Sequence, residues 1–221
     1  MILGIDEAGR GSLVGPMIVA GVVLDKDKER ILAEQGVRDS KTLTPKKRVK
    51  LLEAIVNEAY FLEVIPVGPQ DIDKHNLNEL TRNVMNTIIY DAIAALGNIE
   101  LVILDRVGKS YSITRVIGGR KVKVLMEDKA DSKYTVVSAA SIVAKVFRDW
   151  CIGYIRKEYG LSGSGYPSDK ETVEWVKSNV DMLPAWAVRH KWRTFKRISS
   201  SRISTSGSTL DKFLRGEENA D

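Results

Sequence analysis

MILGIDEAGRGSLVGP, residues Met1–Pro16, sets two carboxylates directly behind an apolar strand, and the rest of the chain is read outward from it. Met1–Ile5 is a short apolar run, Asp6-Glu7 ends it, and Gly9 and Gly11 flank Arg10. Charge at the end of a buried strand must be paired or liganded. Neighbouring side chains on a strand point to opposite faces, so Asp6 and Glu7 aim at one centre only if the strand ends or bulges between them. A divalent cation would offset that distortion. Gly9-Arg10-Gly11 offers backbone N–H groups with little steric cover, a surface for a hydroxyl or a phosphate, with a guanidinium between them. The alternative is a surface turn whose Asp6 and Glu7 are merely solvated.

A chain of 221 residues allows one large domain or two small ones, and 43% hydrophobic content suits a globular protein with a substantial core. Thirty-four Lys and Arg against 29 Asp and Glu leave a net charge of +5, which favours a polyanionic partner without demanding one. The single cysteine, Cys151, cannot form an internal disulfide and reads as a small core residue in a reducing compartment. The longest apolar run, Leu13–Leu24, is broken by glycine and proline and is too short for a membrane helix. A cytoplasmic monomer without membrane contact is the expectation.

Met17–Leu24 reads as a second buried strand, antiparallel to the first across the glycine turn. Asp27–Gln35 suits a short surface helix. Thr44-Pro45 opens another, running to about Glu58 with Leu51, Leu52, Ile55 and Val56 as its buried stripe. Lys46, Lys47, Arg48 and Lys50 gather charge at its start, useful beside a phosphate backbone or simply solvated. Tyr60–Val67 is a third strand, and a helical region follows from Gln70 to Leu96 with a break at His75-Asn76, where Asn76 suits a helix N-cap. Leu101–Leu104 is a strand delivering Asp105 at its end, repeating the pattern at Asp6, and Val122–Met126 is a fifth strand leading toward Asp131. A long helix spans Thr135–Tyr159, small residues first, and Asp169–Asn179 is a further helix. Ala185–Ile198 mixes Trp186, Trp192 and Phe195 with Arg189 and other cations: core aromatics, and basic residues placed to line a duplex. From Ser199 the composition turns to serine, threonine, glycine and charge, so residues 1–198 form the expected folded unit and 199–221 a tail.

DEAGRGSLVGP, followed by DSKTL at Asp39–Leu43, LDR at Leu104–Arg106, ADSKYTVVSAASIVAKVFRD at Ala130–Asp149 and GSGYPSD at Gly163–Asp169, resembles ribonuclease HII, archaeal branch. The resemblance covers roughly residues 1–198, with the motifs in the family's order and spacing. It implies an α/β, ribonuclease H-like fold: a mixed five-stranded sheet, its first three strands antiparallel, flanked by helices and closed by a helical C-terminal portion. It implies hydrolysis of the RNA strand of RNA/DNA hybrids and nicking of duplex DNA 5′ of embedded ribonucleotides, leaving 3′-hydroxyl and 5′-phosphate ends, in primer removal and ribonucleotide excision repair. By this resemblance Asp6, Glu7, Asp105 and Asp131 are the catalytic and metal-holding residues, Gly9-Arg10-Gly11 senses the 2′-hydroxyl, and Tyr166 stacks on the sugar beyond the junction. Lys41 and Lys145 are expected phosphate contacts, and Asn76 resembles the family's asparagine near a substrate phosphate. For Tyr166 the other use is a buried loop tyrosine.

Four converging carboxylates would repel one another and push their pKa values upward unless cations neutralised them. All-oxygen ligands select hard ions such as Mg²⁺ or Mn²⁺. Two such ions about 4 Å apart can activate water for in-line attack and stabilise the departing oxygen. In the tail, Ser208–Leu214 resembles the sliding-clamp-binding peptide of replication proteins, with Leu210, Phe213 and Leu214 as its plugs, although Gly207 stands where that motif has glutamine. A tail helix docked on its own domain is the competing reading. The rival enzymes are ribonuclease H-like nucleases without ribose sensing, such as junction resolvases and integrases. The rival from another class is an inactive hybrid-binding scaffold.

Overall fold

In the computed structural model, which describes residues 1–38, 42–107, 111–117 and 119–201, Ile2–Ala8 (β1) and Met17–Leu24 (β2) pair antiparallel from Ile2 opposite Leu24 to Ala8 opposite Ile18. Every residue of β2 is buried, as a strand covered on both faces requires. Phe61–Val67 (β3) continues the antiparallel arrangement on the outer side of β2. On the other side of β1, Leu101–Asp105 (β4) pairs parallel. Tyr111–Ile117 (β5) and Arg120–Glu127 (β6) complete the sheet, β6 parallel to β4 and β5 antiparallel to β6. The order is β3-β2-β1-β4-β6-β5, with six strands where the sequence reading had five.

The added strand is β5, and its omission has a physical cause. An edge strand that leaves Val116 70% exposed lacks the continuous apolar run that marked β1, β2 and β4.

Two helical layers enclose the sheet. Lys26–Glu34 (α1) and Pro45–Glu58 (α2) lie on one face, and Pro69–Lys74 (α3) leads into Leu77–Leu96 (α4) on the other. Leu51, Leu52 and Ile55 of α2 are buried, but Val56, expected in the same stripe, is exposed, because one residue past Ile55 the helix has turned about 100° away from it. Met85, Ile88, Ile89 and Ala92 of α4 share one core with Leu3, Ile5, Val102 and Leu104. After the short Ala130–Lys133 (α5), Thr135–Tyr159 (α6) joins α1 and α2 over Ala20, Val22, Leu24 and Ile103. Close approach of α6 depends on Gly4, since a Cβ there would stand 2.5 Å from the Val136 carbonyl. Helix starts follow their local chemistry: the Thr44 hydroxyl accepts from the Lys47 N–H, and Asn76 Oδ1 accepts from Asn78 and Glu79 N–H.

The C-terminal portion comprises Lys170–Asn179 (α7) and helical backbone at 193–201, which passes the Ile198 boundary expected from composition. It is stitched to the loop after β1. Leu13 and Val14 share a core with Ile152, Trp175, Val188 and Phe195. Their N–H groups both donate to the Gly165 carbonyl, at 2.8 and 3.0 Å, and Gly15 N–H donates to Ala187 at 2.7 Å. Among the described residues no helix is long and apolar enough to cross a membrane.

Candidate active site

β1 neither ends nor bulges between Asp6 and Glu7, contrary to the sequence expectation, for its register with β2 is unbroken through Ala8. Leu3 and Ile5 face α4, and Gly4 abuts α6. Alternation therefore puts Asp6 on the α6 side and Glu7 on the α4 side. They share a centre because the β1–β4 ladder stops at Ile5 and Leu104. Beyond that point β1 has lost its neighbour on the β4 side, and both faces open into one crevice at the carboxyl ends of the parallel strands, the usual ligand position in an open α/β sheet.

That crevice, about 480 Å³, is lined by Asp6, Glu7, Gly9, Arg10, Gly11, Asp105, Asp131, Lys145 and Tyr166, together with Arg48, Arg148 and Asp149. Nine expected site residues are thus brought together. Asn76 is not among the lining residues, and its side-chain oxygen serves as the N-cap of α4. Lys41, Leu210, Phe213 and Leu214 lie outside the described residues.

The floor is anionic and buried. Asp6 is 5% and Asp131 2% exposed. Asp6 Oδ1 accepts from the Glu7 N–H at 2.8 Å, and Asp105 Oδ1 accepts from Ala130 N–H at 2.9 Å, tying the end of β4 to the helix that carries Asp131. Burial pushes the Asp6 carboxyl up to about 7, against a Ser141 hydrogen bond and the Lys145 charge, while Asp105 adds repulsion. Burial and then the Asp6 charge push Glu7 up to about 8, opposed by Arg10. Lys145 Nζ donates to Ser141 Oγ at 2.6 Å, beside Asp6.

Among the described residues no three such carboxylates already stand in the close grouping of an ion's ligands. The donor set nevertheless fits a hard cation. It is all oxygen, its members repel one another, and the buried Glu7 Oε2 has no hydrogen-bond partner among the described residues.

The rim is built differently. Arg10 turns its guanidinium toward α4, where Nη1 donates to Thr81 Oγ1 at 2.5 Å and Nη2 to Asn78 Oδ1, with Glu7 Oε1 at 3.9 Å. Its backbone stays on the cleft. Arg148 lies 4.4 Å over the Tyr166 ring and donates from Nη2 to the Ser164 carbonyl at 2.9 Å. Arg48 bridges the Leu43 carbonyl and Asp149 Oδ2, at 2.7 and 2.8 Å. Arg189, expected as a candidate duplex contact, is completely buried against the Gly9–Gly15 loop. Sequence reasoning missed Arg148, Asp149, Asn78 and Thr81 because their partners are distant in the chain. The one available signal was the apolar Ala187-Val188 directly before Arg189.

Residues 3–195 match the family model for Ribonuclease HII. A Ribonuclease HII of Sulfolobus acidocaldarius is 44% identical over 202 residues, 90% of this chain and 94% of that protein. The crystal structure of ribonuclease H2 from Pyrococcus horikoshii superposes with a TM-score of 0.74 at 33% identity, covering 90% of this chain and 97% of the other. RNase HII in its complex with PCNA from Archaeoglobus fulgidus gives 0.71 at 34% identity, over 90% and 96% of the two chains. With a ribonuclease H-like sheet and acidic residues gathered where its parallel strands end, the chain belongs to the ribonuclease HII family, metal-dependent endoribonucleases acting on RNA/DNA hybrids.

Proposed function

We propose that this chain hydrolyses the RNA strand of RNA/DNA hybrids and nicks duplex DNA on the 5′ side of an embedded ribonucleotide. The observation that carries the reading is the shared cleft of Asp6, Glu7, Asp105 and Asp131 with the Gly9-Arg10-Gly11 backbone. Those carboxylates would hold two divalent cations, Mg²⁺ or Mn²⁺, and such ions, when bound, supply Lewis-acid activation of water and neutralise charge on the leaving oxygen.

The chain's own residues do the rest. Breaking the P–O3′ bond leaves a 3′-hydroxyl and a 5′-phosphate, and no covalent enzyme intermediate is involved. The Gly9-Arg10-Gly11 backbone approaches the ribose, whose 2′-hydroxyl is what separates RNA from DNA at a single nucleotide. Gly11 is suited to this, since a Cβ built on it meets nothing within 4 Å. Tyr166, stacked on Arg148, presents its ring to the sugar beyond the junction. Lys145, lining the same cleft, contacts a phosphate. Residues 1–198 form the catalytic unit, acting as a monomer in primer removal and ribonucleotide repair. Leu210, Phe213 and Leu214 engage a sliding clamp, in keeping with the PCNA complex of the Archaeoglobus relative.

The test is cleavage of labelled duplex DNA with one ribonucleotide, in Mg²⁺ or Mn²⁺, beside an all-DNA duplex. A single cut 5′ of the ribonucleotide is expected. Equal cutting of the all-DNA duplex would instead identify a nuclease without ribose sensing.

A further inference from the structure

Arg189 is fully buried, yet its direct hydrogen-bond partners are carbonyls and a hydroxyl rather than a carboxylate. Nη1 donates to the Arg10 carbonyl at 2.6 Å. Nη2 reaches the Gly9 carbonyl at 2.5 Å, Ser12 Oγ at 2.9 Å and the Gly15 carbonyl at 3.3 Å. The Arg189 N–H donates to the Leu13 carbonyl at 3.0 Å. Every one of these acceptors lies in the loop between β1 and β2. Burial, with the nearby Arg148 charge, pulls the Arg189 pKa down to about 10, which keeps it protonated near neutrality.

The direction of the grip matters. A trans peptide unit is planar, with its C=O and N–H pointing opposite ways, and the described chain contains no cis peptide. The Gly9 carbonyl shares a peptide plane with the Arg10 N–H, and the Arg10 carbonyl with the Gly11 N–H. Carbonyls drawn inward to Arg189 therefore turn those two N–H groups outward. Among the described residues neither N–H donates to another backbone carbonyl, and both residues line the cleft.

We infer that Arg189 is a positioning residue: by holding the Gly9 and Arg10 carbonyls from inside the protein, it aims the Arg10 and Gly11 N–H groups at the substrate's 2′-hydroxyl. This rests on the ribose-reading role proposed for that turn. Lysine cannot replace arginine here, because one ammonium lacks the planar fork that spans several acceptors at once.

The experiment compares wild type, Arg189→Lys and Ser12→Ala, the last because the Ser12 hydroxyl accepts from Arg189 and passes the grip on by donating to the Gly9 carbonyl at 2.8 Å. For each, kcat and KM are measured on a single-ribonucleotide duplex, with thermal melting and a Mn²⁺ titration followed by calorimetry. Arg189→Lys is expected to melt cooperatively, bind Mn²⁺ and hold KM within about twofold, while kcat falls about a hundredfold. Ser12→Ala should lose about fivefold in kcat. Wild-type kcat in a folded Arg189→Lys overturns the inference. So does a loss of kcat matched by a loss of Mn²⁺ affinity, because Arg189 would then only support the carboxylates. If Arg189→Lys does not fold, Ser12→Ala decides: lowered kcat at unchanged melting supports the inference, and wild-type kcat overturns it. Should wild type itself cut an all-DNA duplex equally, the ribose-reading role fails, independently of either variant.

Discussion

The floor and the rim of the cleft solve opposite electrostatic problems. On the floor burial and the Asp105 charge raise the pKa of both Asp6 and Glu7, the Asp6 charge raises Glu7 further, and Glu7 keeps an oxygen with no partner among the described residues. On the rim Arg10, Arg148 and Arg189 are buried or half-buried cations held by carbonyls, hydroxyls, an amide and an aromatic ring. The rim cations are held by the protein's own atoms, with only the buried Arg148 and Arg189 Nε left without partners among the described residues. Lys145, Arg10 and a Ser141 hydrogen bond, by contrast, offset the floor only in part and leave the rest to protons or to cations from solution. A buried charge left unpaired is costly, so the floor stores the instability and the rim supplies the rigidity.

The largest test breaks the floor. Asp105→Asn keeps an oxygen to accept the Ala130 N–H but removes a charge that raises both Asp6 and Glu7. Cleavage should fall about a thousandfold or more. Melting of the metal-free protein at pH 8 should not fall with it, because repulsion is relieved. A parallel collapse of melting would mean that the floor is ordinary structural packing.

Two glycines then sharpen the rim. A Cβ on Gly9, at φ +80°, would stand 2.8 Å from the Pro16 carbonyl oxygen and 2.9 Å from Arg148 Cδ. Gly9→Ala should cost about 1–3 kcal/mol and lower activity together with stability. Gly11→Ala meets open space, so stability should stay within about 0.5 kcal/mol while kcat/KM drops about tenfold. Equal effects in the two variants would remove the distinction between a structural and a substrate-facing glycine.

This contrast also explains what was legible in the sequence. Strand pairing of β1 and β2 across their glycine turn, the Thr44 cap and the acids at strand ends are local patterns, readable from neighbours in the chain, whereas the antiparallel place of β3 came from the family resemblance. β5 was hidden because its sequence, YSITRVI, breaks its apolar residues with polar ones and so lacks a continuous apolar run. The regular course of β1 through Glu7 was hidden because the opening of the crevice is made by where β4 stops, about a hundred residues away. Arg189 contacts a carbonyl 179 positions earlier, and nothing around either residue announces it.

A smaller effect follows from the floor's protonation. Folding raises the Asp6 and Glu7 pKa values above their ordinary range, so between that range and about pH 7 to 8 the folded metal-free protein binds more protons than the unfolded chain. Stability therefore falls as pH rises through that window and levels off above it. Melting of the metal-free protein should drop by about 3 °C or more between about pH 5 and pH 8. Saturating Mg²⁺ or Mn²⁺ should flatten the slope, because cations replace the protons. A metal-independent slope would place the titration elsewhere.

The smallest effect concerns Asn76, which the family resemblance sets near a substrate phosphate and the fold uses to cap α4. Asn78 and Thr81 on the same helix hold Arg10, so the cap supports the rim from behind. Asn76→Ala should cost about 1 kcal/mol, lowering melting by about 2–4 °C, with KM for a ribonucleotide-containing duplex within about twofold. Asn76→Asp separates the two uses more sharply, because aspartate caps a helix as well as asparagine and suits the positive end of its dipole, but repels a phosphate. Wild-type melting and KM in Asn76→Asp would fix the residue as a cap. A raised KM that diminishes with added salt would return it to the substrate path, since screening weakens a repulsion between exposed charges.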